Sequence, residues 1–298
     1  MARAGVSEVY SEADQLLETL LGVRFSRSQV FRVTRALGEA LETQPVPTPA
    51  LTLAPDEVVY ASLDGSMIQT ESGWKEVKLG RVFQARQLQA VGGQGRHRIT
   101  RSVYSACLGT CHDFIPRFGA SLAPFRQAGC ALVFITDGAE WIRDYLQQQY
   151  PQATHILDYF HAYERLCEFA KLALPGESDR QLWLTEQQAL LYAGQVDERL
   201  QHVEALTLFT KAARQARYTL RTYYRNNRQR MAYGEYRRRG LMIGSGPMEA
   251  AHRTVLQARM KRSGQHWSIA GARSMINLRV MLKSECWNQA LQPLLQAA

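Results

Sequence analysis

The order in which strand-like segments follow one another constrains the fold of this chain more than any other feature. Three such segments come first, at residues 58–68, 74–86 and 97–108, and turn residues at 71–73 and 92–95 separate them. Short connections of this kind are typical of an antiparallel meander, in which each strand pairs with its neighbour in the sequence.

Two further strands follow, and their composition is different. Residues 131–136 and 153–157 are short and largely apolar, and a helical segment at 139–150 separates them. Strands that alternate with helices pair in parallel and are covered on both faces. The sequence therefore predicts an α/β fold, with a mixed sheet and flanking helices. Another helix is predicted at 113–127, and its two prolines are expected to break it.

The N-terminal part is predicted to form two helices within residues 7–42. Ser26 or Ser28 is suited to cap the second helix, and the turn at 22–25 resembles that of a helix-turn-helix. A helix pair that only packs on the rest of the protein has nearly the same pattern, so both interpretations stay open. Clustered prolines then predict a linker and a domain boundary near residue 50: Pro45, Pro47, Pro49 and Pro55.

Residues 159–239 show no strand pattern and are predicted to be helical. One more helix is predicted to follow the glycine and proline cluster at 244–247, and another to cover 268–284. The predicted domains are an N-terminal helical segment, the first part of a catalytic core, a helical insertion and the final helices of the core, at 1–50, 51–170, 171–240 and 241–298.

Charge is distributed unevenly along the chain. The sequence has 36 Lys and Arg against 27 Asp and Glu, a net charge of +9, yet residues 211–283 hold 17 basic residues and only two acidic ones. This asymmetry predicts a polyanionic partner, with nucleic acid as the leading candidate and a solvated basic face as the alternative. No apolar run approaches the roughly 18–20 residues that span a bilayer, and the five cysteines are too sparse for a disulfide scaffold. We therefore expect a cytoplasmic protein with no membrane partner.

Five arginines in the helical stretch repeat at helical spacing. Arg214, Arg217, Arg221, Arg225 and Arg228 follow one another at intervals of 3, 4, 4 and 3 residues, which places them on one helix face. Tyrosines lie among them, and this mixture is typical of surfaces that contact phosphates and stack on bases. The same face has no acidic partners at i,i+4 spacing, so the pattern favours phosphate binding.

Three carboxylates lie where a metal site would need them. Asp64 follows the apolar strand residues 58–63, Asp137 ends the strand at 131–136, and Glu249 lies in the first turn of a late helix. Because the ends of neighbouring central strands converge, we expect both aspartates to lie together and Glu249 to cover them from its helix. Carboxylate oxygens are hard ligands that suit Mg²⁺ or Mn²⁺, and two such ions can promote phosphoryl transfer.

Each carboxylate also has a purely structural explanation. Asp64 and Gly65 fit a hairpin turn, Asp137 and Glu140 fit a variant of the capping box, and Glu249 would interact favourably with its helix dipole. The residues alone leave these alternatives open.

Four motifs, in this order along the chain, resemble those of bacterial insertion-sequence transposases of the DDE class, which have a ribonuclease H-like fold. They are YASLDGSMI with WKEVKLGRVF, VFITDGAEWI, HILDYFHAYERL, and IGSGPMEAAHRTVLQARMKRSGQHWS with ARSMINLR. The resemblance covers residues 58–170 and 240–283. It implies that Asp64, Asp137 and Glu249 are a catalytic triad that binds magnesium, and that the helices between the last two are an insertion domain.

Asp158 and His161 match the D-x-x-H signature, often C-x-x-H, of the branch related to Mutator-type transposases. The resemblance implies that this pair flanks the active site. A strand-end Asp and a His one helical turn later can also orient each other or a metal-bound water. A structural histidine with satisfied hydrogen bonds is the alternative.

The resemblance implies an enzyme that binds the terminal inverted repeats of its element as double-stranded DNA, cleaves DNA strands and joins the freed 3′ hydroxyl to target DNA. It further implies a homo-oligomer on DNA, located with the nucleoid. An inactive DNA-binding remnant and a structure-specific nuclease of the same fold are the alternatives. The basic residues expected to hold the DNA backbone are Arg214, Arg217, Arg221, Arg225, Arg228, Arg237, Arg238, Arg239, Arg259, Lys261 and Arg262.

Overall fold

The computed structural model describes residues 1–42, 51–92 and 97–296, with side chains as far as residue 292. Three prolines of the predicted linker, Pro45, Pro47 and Pro49, and most of the predicted turn at 92–95 lie outside these residues. The strands are β1 (Val58–Thr70), β2 (Gly73–Gln84), β3 (Leu88–Ala90), β4 (His97–Ile99), β5 (Val103–Leu108), β6 (Ala131–Thr136) and β7 (Thr154–Leu157).

The helices divide into those before, within and after the long helical stretch. They are α1 (Ala2–Ser7), α2 (Tyr10–Leu21), α3 (Arg27–Ala40), α4 (Cys111–Gln127), α5 (Glu140–Gln149), α6 (Tyr159–Ala173), α7 (Glu177–Ala193), α8 (Val196–Ala205), α9 (Lys211–Asn227), α10 (Tyr233–Arg238), α11 (Gly246–Ala251), α12 (Ala258–Met260), α13 (Ile269–Lys283) and α14 (Trp287–Gln296). A π-helical segment, His252–Gln257, joins α11 to α12.

Five strands form one mixed sheet in the order β5-β2-β1-β6-β7. β1 pairs antiparallel with β2, and β2 with β5, whereas β6 and β7 pair in parallel. The predicted meander and its parallel extension are therefore confirmed. Helices α4, α11 and α13 pack on the sheet, so the predicted mixed α/β sheet with flanking helices is confirmed as well.

The third predicted strand, at 97–108, is wrong in one respect, because it is two strands. Thr100 lies outside both strands, and its backbone N–H donates to the Gln87 carbonyl oxygen at 3.0 Å. β4 consequently pairs with β3 in a separate two-stranded sheet, and only β5 joins the main sheet.

The predicted break in α4 is also wrong, since the helix runs through Pro116 and Pro124. Its buried face carries Phe114, Phe118 and Phe125, and burial of such large side chains outweighs the loss of two backbone hydrogen bonds. The helix lies so close to β2 that a Cβ atom at Gly80 would come within 2.4 Å of the Phe118 ring. α4 and α13 both pack against β5, which explains why β5 is buried throughout.

The chain forms two compact units, Met1–Leu132 with Gly246–Ala298, and Val133–Ser245. The core of the first unit joins residues of β1 and β2 to the C-terminal helices, and includes Ile68, Leu79, Met248, Val255 and Met275. The predicted helices at the N-terminus are present as α2 and α3. Ser26 caps α3 in a capping box with Gln29. Of the two predicted caps, Ser26 and Ser28, the first is therefore confirmed.

The second unit is helical beyond β7, as predicted for residues 159–239. Its interior contains the fully buried guanidinium of Arg199, which lies 4.1 Å from the centre of the Tyr224 ring. The division into domains at residues 50, 170 and 240 stays a prediction. No helix among the described residues is long and apolar enough to cross a membrane.

Candidate active site

Asp64 lies in the middle of β1, where it is paired with Leu79 of β2. Both the predicted position at a strand end and the alternative of a hairpin turn at Asp64 and Gly65 are therefore wrong. The strand continues through this polar region because its pairing with β2 runs on to Thr70. The hairpin turn lies at residues 71–72 instead.

The Asp64 carboxylate is held by one hydrogen bond on each oxygen. Oδ1 accepts from the Gly65 backbone N–H at 2.7 Å, and Oδ2 lies 3.1 Å from Nε2 of His252. The side chain of Asp64 is 40% exposed, whereas that of His252 is only 9% exposed. The carboxylate is thus fixed from the core and still accessible from outside.

The glycine after Asp64 leaves room for a side chain of the neighbouring strand. A Cβ atom at Gly65 would lie 1.9 Å from Oε1 of Glu76, on the neighbouring strand. Glu76 is itself paired with Lys78, at 2.5 Å between Oε2 and Nζ. A second carboxylate therefore lies beside the backbone next to Asp64, with its charge balanced by a lysine.

Glu249 lies exposed on α11, in the same unit as Asp64. Its neighbour Met248 is buried, and α11 packs against β1 and β2. The start of the helix is also tied to β2, because Nη1 of Arg81 donates to the Pro247 carbonyl oxygen at 2.6 Å. Glu249 is consequently on the helix that covers β1, as the sequence predicts.

His252 was not predicted from the sequence. A single histidine on a helix gives no periodic signal, and the only available sign was its spacing of three residues from Glu249, which places both on one helix face. His252 also begins the π-helical segment. Single π-helical turns inside α-helices are frequent at functional sites.

Asp137 belongs to the second unit, directly after β6, as predicted. Its Oδ1 accepts from the Ala139 backbone N–H at 3.0 Å. The predicted alternative of a capping box with Glu140 is wrong, because Ala139 is the N-cap residue and no side chain caps α5. Burial, and after it the Asp137 charge, raise the pKa of Tyr223.

Asp158 and His161 form a hydrogen-bonded pair in the second unit, with 2.6 Å between Oδ2 and Nδ1. Asp158 is fully buried, caps α6, and also accepts from the backbone N–H and the hydroxyl of Ser245. Burial raises the pKa of Asp158, but the hydrogen bonds from His161 and Ser245 outweigh burial and lower it below the ordinary value. The predicted mutual orientation of this pair is present, and Ser245 is a partner that the sequence did not indicate.

Of the predicted carboxylates, the first unit holds Asp64 and Glu249, and the second unit holds Asp137. Within the described ranges, no group of three or more His, Cys, Asp or Glu side chains is arranged to hold a metal ion. Such an arrangement was expected from the sequence. The pair formed by Asp64 and His252 is what the structure adds.

Part of the positive charge on the predicted arginine face of α9 is paired with acidic residues of the same unit. The i,i+4 spacing along α9 predicts no such partners. Arg217 and Arg221 both pair with Glu204 of α8, and Arg228 pairs with Asp197. These acids come from another helix, so spacing along α9 cannot reveal them. Several basic residues of this face, of α10 and of the position directly after α10 are exposed. They are Arg214, Arg225, Arg228, Arg237, Arg238 and Arg239.

Arg259 was expected to hold DNA, and the structure contradicts this expectation. The residue is 1% exposed, and its Nε donates to the Gly5 carbonyl oxygen at 3.0 Å. The guanidinium lies over the rings of Tyr10 and Trp267, and aromatic faces of this kind stabilise a buried cation. Arg259 therefore holds α1 and α12 together.

The two basic residues that follow Arg259 are also bound within the first unit. Nζ of Lys261 donates to Oγ of Ser66 at 2.6 Å. Arg262 pairs with Glu8 and Glu12, at 3.1 and 2.8 Å. Lys261 is exposed nevertheless, and both stay predictions as DNA contacts.

Comparisons with known proteins give two similarities. No family model matches the chain. A protein of Streptococcus gallolyticus described as "UPF0236 protein in vanSb 3′ region" is 24% identical over 275 residues, which are 90% of this chain and 59% of that protein. This chain thus spans less than two thirds of the length of that relative.

The crystal structure of LC9-RNase H1, a type 1 RNase H with the type 2 active-site motif, is similar with a TM-score of 0.20 and 17% identity, over 70% of this chain and 88% of that chain. A likeness this slight carries no argument about the site. The candidate site therefore depends on the geometry around Asp64.

Proposed function

We propose that the chain is a transposase of the DDE type, which binds element-end DNA and catalyses metal-dependent strand cleavage and strand transfer. The observation that carries the proposal is the Asp64 carboxylate, which is fixed in the centre of β1, half-exposed, and in the same unit as Glu249 on the covering helix α11. Asp137 stays a prediction as the third carboxylate, and substitution by Asn tests it.

Asp64 and Glu249 fit a hard divalent cation in their chemistry. Each oxygen of Asp64 accepts a single hydrogen bond from the residues described above, so lone pairs remain for a cation. Mg²⁺ is commonly held by one or two carboxylates, with waters and substrate phosphate oxygens completing its shell. When bound, such ions promote attack at phosphorus and neutralise the leaving oxygen.

The chain's own residues would supply binding and orientation. The backbone N–H of Gly65 and the imidazole of His252 fix the two oxygens of Asp64, and the bond from Arg81 to Pro247 fixes the start of the helix that carries Glu249. Exposed arginines such as Arg225 and Arg238 offer positive charge to the DNA backbone, and such contacts position DNA without reading its sequence.

The proposal is tested by incubating the protein with Mg²⁺ and DNA that carries the candidate terminal repeats flanking the gene. We expect the wild type to nick at the repeat boundary and to join the ends to a target plasmid. Glu249→Gln should bind the same DNA and lose cleavage by about a thousandfold or more, the scale at which loss of transition-state stabilisation is seen. Glu71→Gln, at another exposed glutamate of the same unit, is the matched control and should cleave normally.

Other outcomes identify the alternatives. Cleavage without strand transfer would favour a structure-specific nuclease. DNA binding without any cleavage by the wild type would favour the inactive remnant. Cleavage by Glu249→Gln at the wild-type rate would remove Glu249 from the site and leave only its interaction with the helix dipole.

A further inference from the structure

His252 is a buried imidazole that faces an accessible carboxylate. Its residue exposure is 7%, and its Nε2 points at Oδ2 of Asp64 over 3.1 Å. His252 comes from the π-helical segment and Asp64 from β1, so the contact joins positions 188 residues apart in the chain. Of the two hydrogen bonds that hold Asp64 within the described residues, this is the one that comes from outside β1.

The other ring nitrogen determines which tautomer fits. Nδ1 of His252 is buried and has no hydrogen-bond partner within the described part of the chain. A proton on Nδ1 would leave a buried donor unpaired and would place a lone pair of Nε2 against the carboxylate, and both arrangements are unfavourable. The geometry therefore favours a proton on Nε2, donated to Asp64.

The backbone that carries His252 is held from a neighbouring helix. A π-helical turn shifts carbonyl groups out of the regular hydrogen-bond pattern, and here the Val255 carbonyl oxygen accepts from Nε of Arg279 at 2.8 Å, while the Thr254 carbonyl oxygen accepts from its Nη2. Arg279 is 3% exposed on α13 and binds the Val6 carbonyl oxygen as well. The π-helical segment is therefore clamped at its centre by a buried guanidinium.

We propose that His252 is a positioning residue, which orients the Asp64 carboxylate for a divalent cation by donating from Nε2 to Oδ2. This inference rests on the proposed function, because it presupposes that Asp64 binds the cation. A second partner that fixes a ligating carboxylate sharpens its geometry, and loss of such a partner typically weakens metal affinity by about 10- to 100-fold. Arg279 supports the same arrangement through the backbone.

The test measures the affinity of the DNA-free protein for Mn²⁺ or Mg²⁺ by calorimetry, together with thermal unfolding. His252→Phe keeps an aromatic ring and removes the donor, so we expect the dissociation constant to rise by about tenfold or more. His252→Gln can place an amide N–H near the position of Nε2, and we expect a dissociation constant within about threefold of the wild type. His266→Gln, at an exposed histidine of the same unit, is the matched control and should change nothing.

The outcomes separate this inference from the proposed function. If Asp64→Asn leaves metal affinity unchanged, Asp64 is not a ligand and both proposals are wrong. If Asp64→Asn abolishes binding while His252→Phe binds metal like the wild type, only the positioning role is wrong. If His252→Gln loses affinity as severely as His252→Phe, the imidazole is itself a ligand rather than a positioning group. A change in melting temperature alone, at constant metal affinity, would reduce His252 to a packing role.

Discussion

Two aspartate and histidine pairs lie in the two units of this chain, and they are built differently. In the second unit, Asp158 is fully buried and accepts four hydrogen bonds, from His161, from the Phe160 backbone and twice from Ser245. In the first unit, Asp64 is half-exposed and accepts one hydrogen bond on each oxygen. In the pair of Asp158 and His161 the carboxylate is buried and the imidazole is more exposed. In the pair of Asp64 and His252 the carboxylate is more exposed and the imidazole is buried.

The two carboxylates differ in how much of their hydrogen-bonding capacity the protein uses, which distinguishes a structural carboxylate from a candidate metal ligand. Asp158 has few lone pairs left, and its position as the N-cap of α6 gives it a structural task. Asp64 caps nothing and keeps capacity to bind a cation. We therefore propose that Asp158 stabilises the fold and that Asp64 binds the cation. The predictions that follow test these two roles, the support of the π-helical segment and the basic face of the second unit.

The largest effect on stability is expected for Asp158→Ala. The substitution leaves the partners from Ser245 and the α6 N-terminus without their acceptor, and removal of one partner from a buried charged network costs about 3–5 kcal/mol. The free energy of unfolding, measured by urea denaturation, should fall by about that amount. Asp144→Ala, at an exposed residue, is the control and should stay within about 0.5 kcal/mol. A loss below about 1 kcal/mol for Asp158→Ala would contradict the structural role of this carboxylate.

A somewhat smaller loss in the free energy of unfolding is expected for Arg279→Met. The carbonyl oxygens of Val255 and Val6 lose a charged donor in the core, and bonds of this kind contribute about 1.5–3 kcal/mol. Unfolding monitored by circular dichroism should show a loss of about 3 kcal/mol. Arg273→Met, at an exposed position of the same helix, should be nearly neutral. Equal stability of both variants would show that the clamp on the π-helical segment is unimportant.

Much of the fold could be predicted from the sequence, because strand and helix patterns are local. The meander, the apolar strand β6 and the capped helix α3 all follow from periodicity and turn residues. Asp64 was found as a candidate but misplaced, since a polar stretch inside a strand looks like its end until the pairing partner is known. His252, Ser245 and the buried Arg259 owe their roles to contacts between distant segments, which a single sequence does not reveal.

A moderate effect on DNA binding is expected from the arginine face of the second unit. Arg214→Ala with Arg225→Ala should weaken binding by about tenfold, whatever the DNA sequence, and lower the salt slope by about 2, because each phosphate contact contributes about 1. Arg217→Ala with Arg221→Ala should change the slope less, because Glu204 already pairs with both. A filter-binding series at several salt concentrations measures both pairs. Identical slopes in all variants would reject this face as the DNA surface.

The smallest expected effect is a loss of stability at low pH when Asp158 is protonated. Because the folded-state pKa of Asp158 lies below its ordinary value of 3.8, this group stabilises the folded protein above pH 3.8, and the contribution is lost as the pH falls through the folded-state pKa. Stability against urea should therefore decrease below about pH 4 in the wild type, and less steeply in Asp158→Asn. Parallel pH profiles would show that Asp158 does not contribute in this way.

The most direct test of the role of Asp64 compares Asp64→Asn with Asp158→Asn in one experiment. Nicking of repeat-end DNA in Mg²⁺ and the melting temperature are recorded for each variant. We expect Asp64→Asn to melt like the wild type and to lose nicking by about a thousandfold or more, while Asp158→Asn melts lower and retains nicking at temperatures where it is folded. The opposite result, with nicking retained by Asp64→Asn at the wild-type rate, would contradict the assignment of chemistry to Asp64.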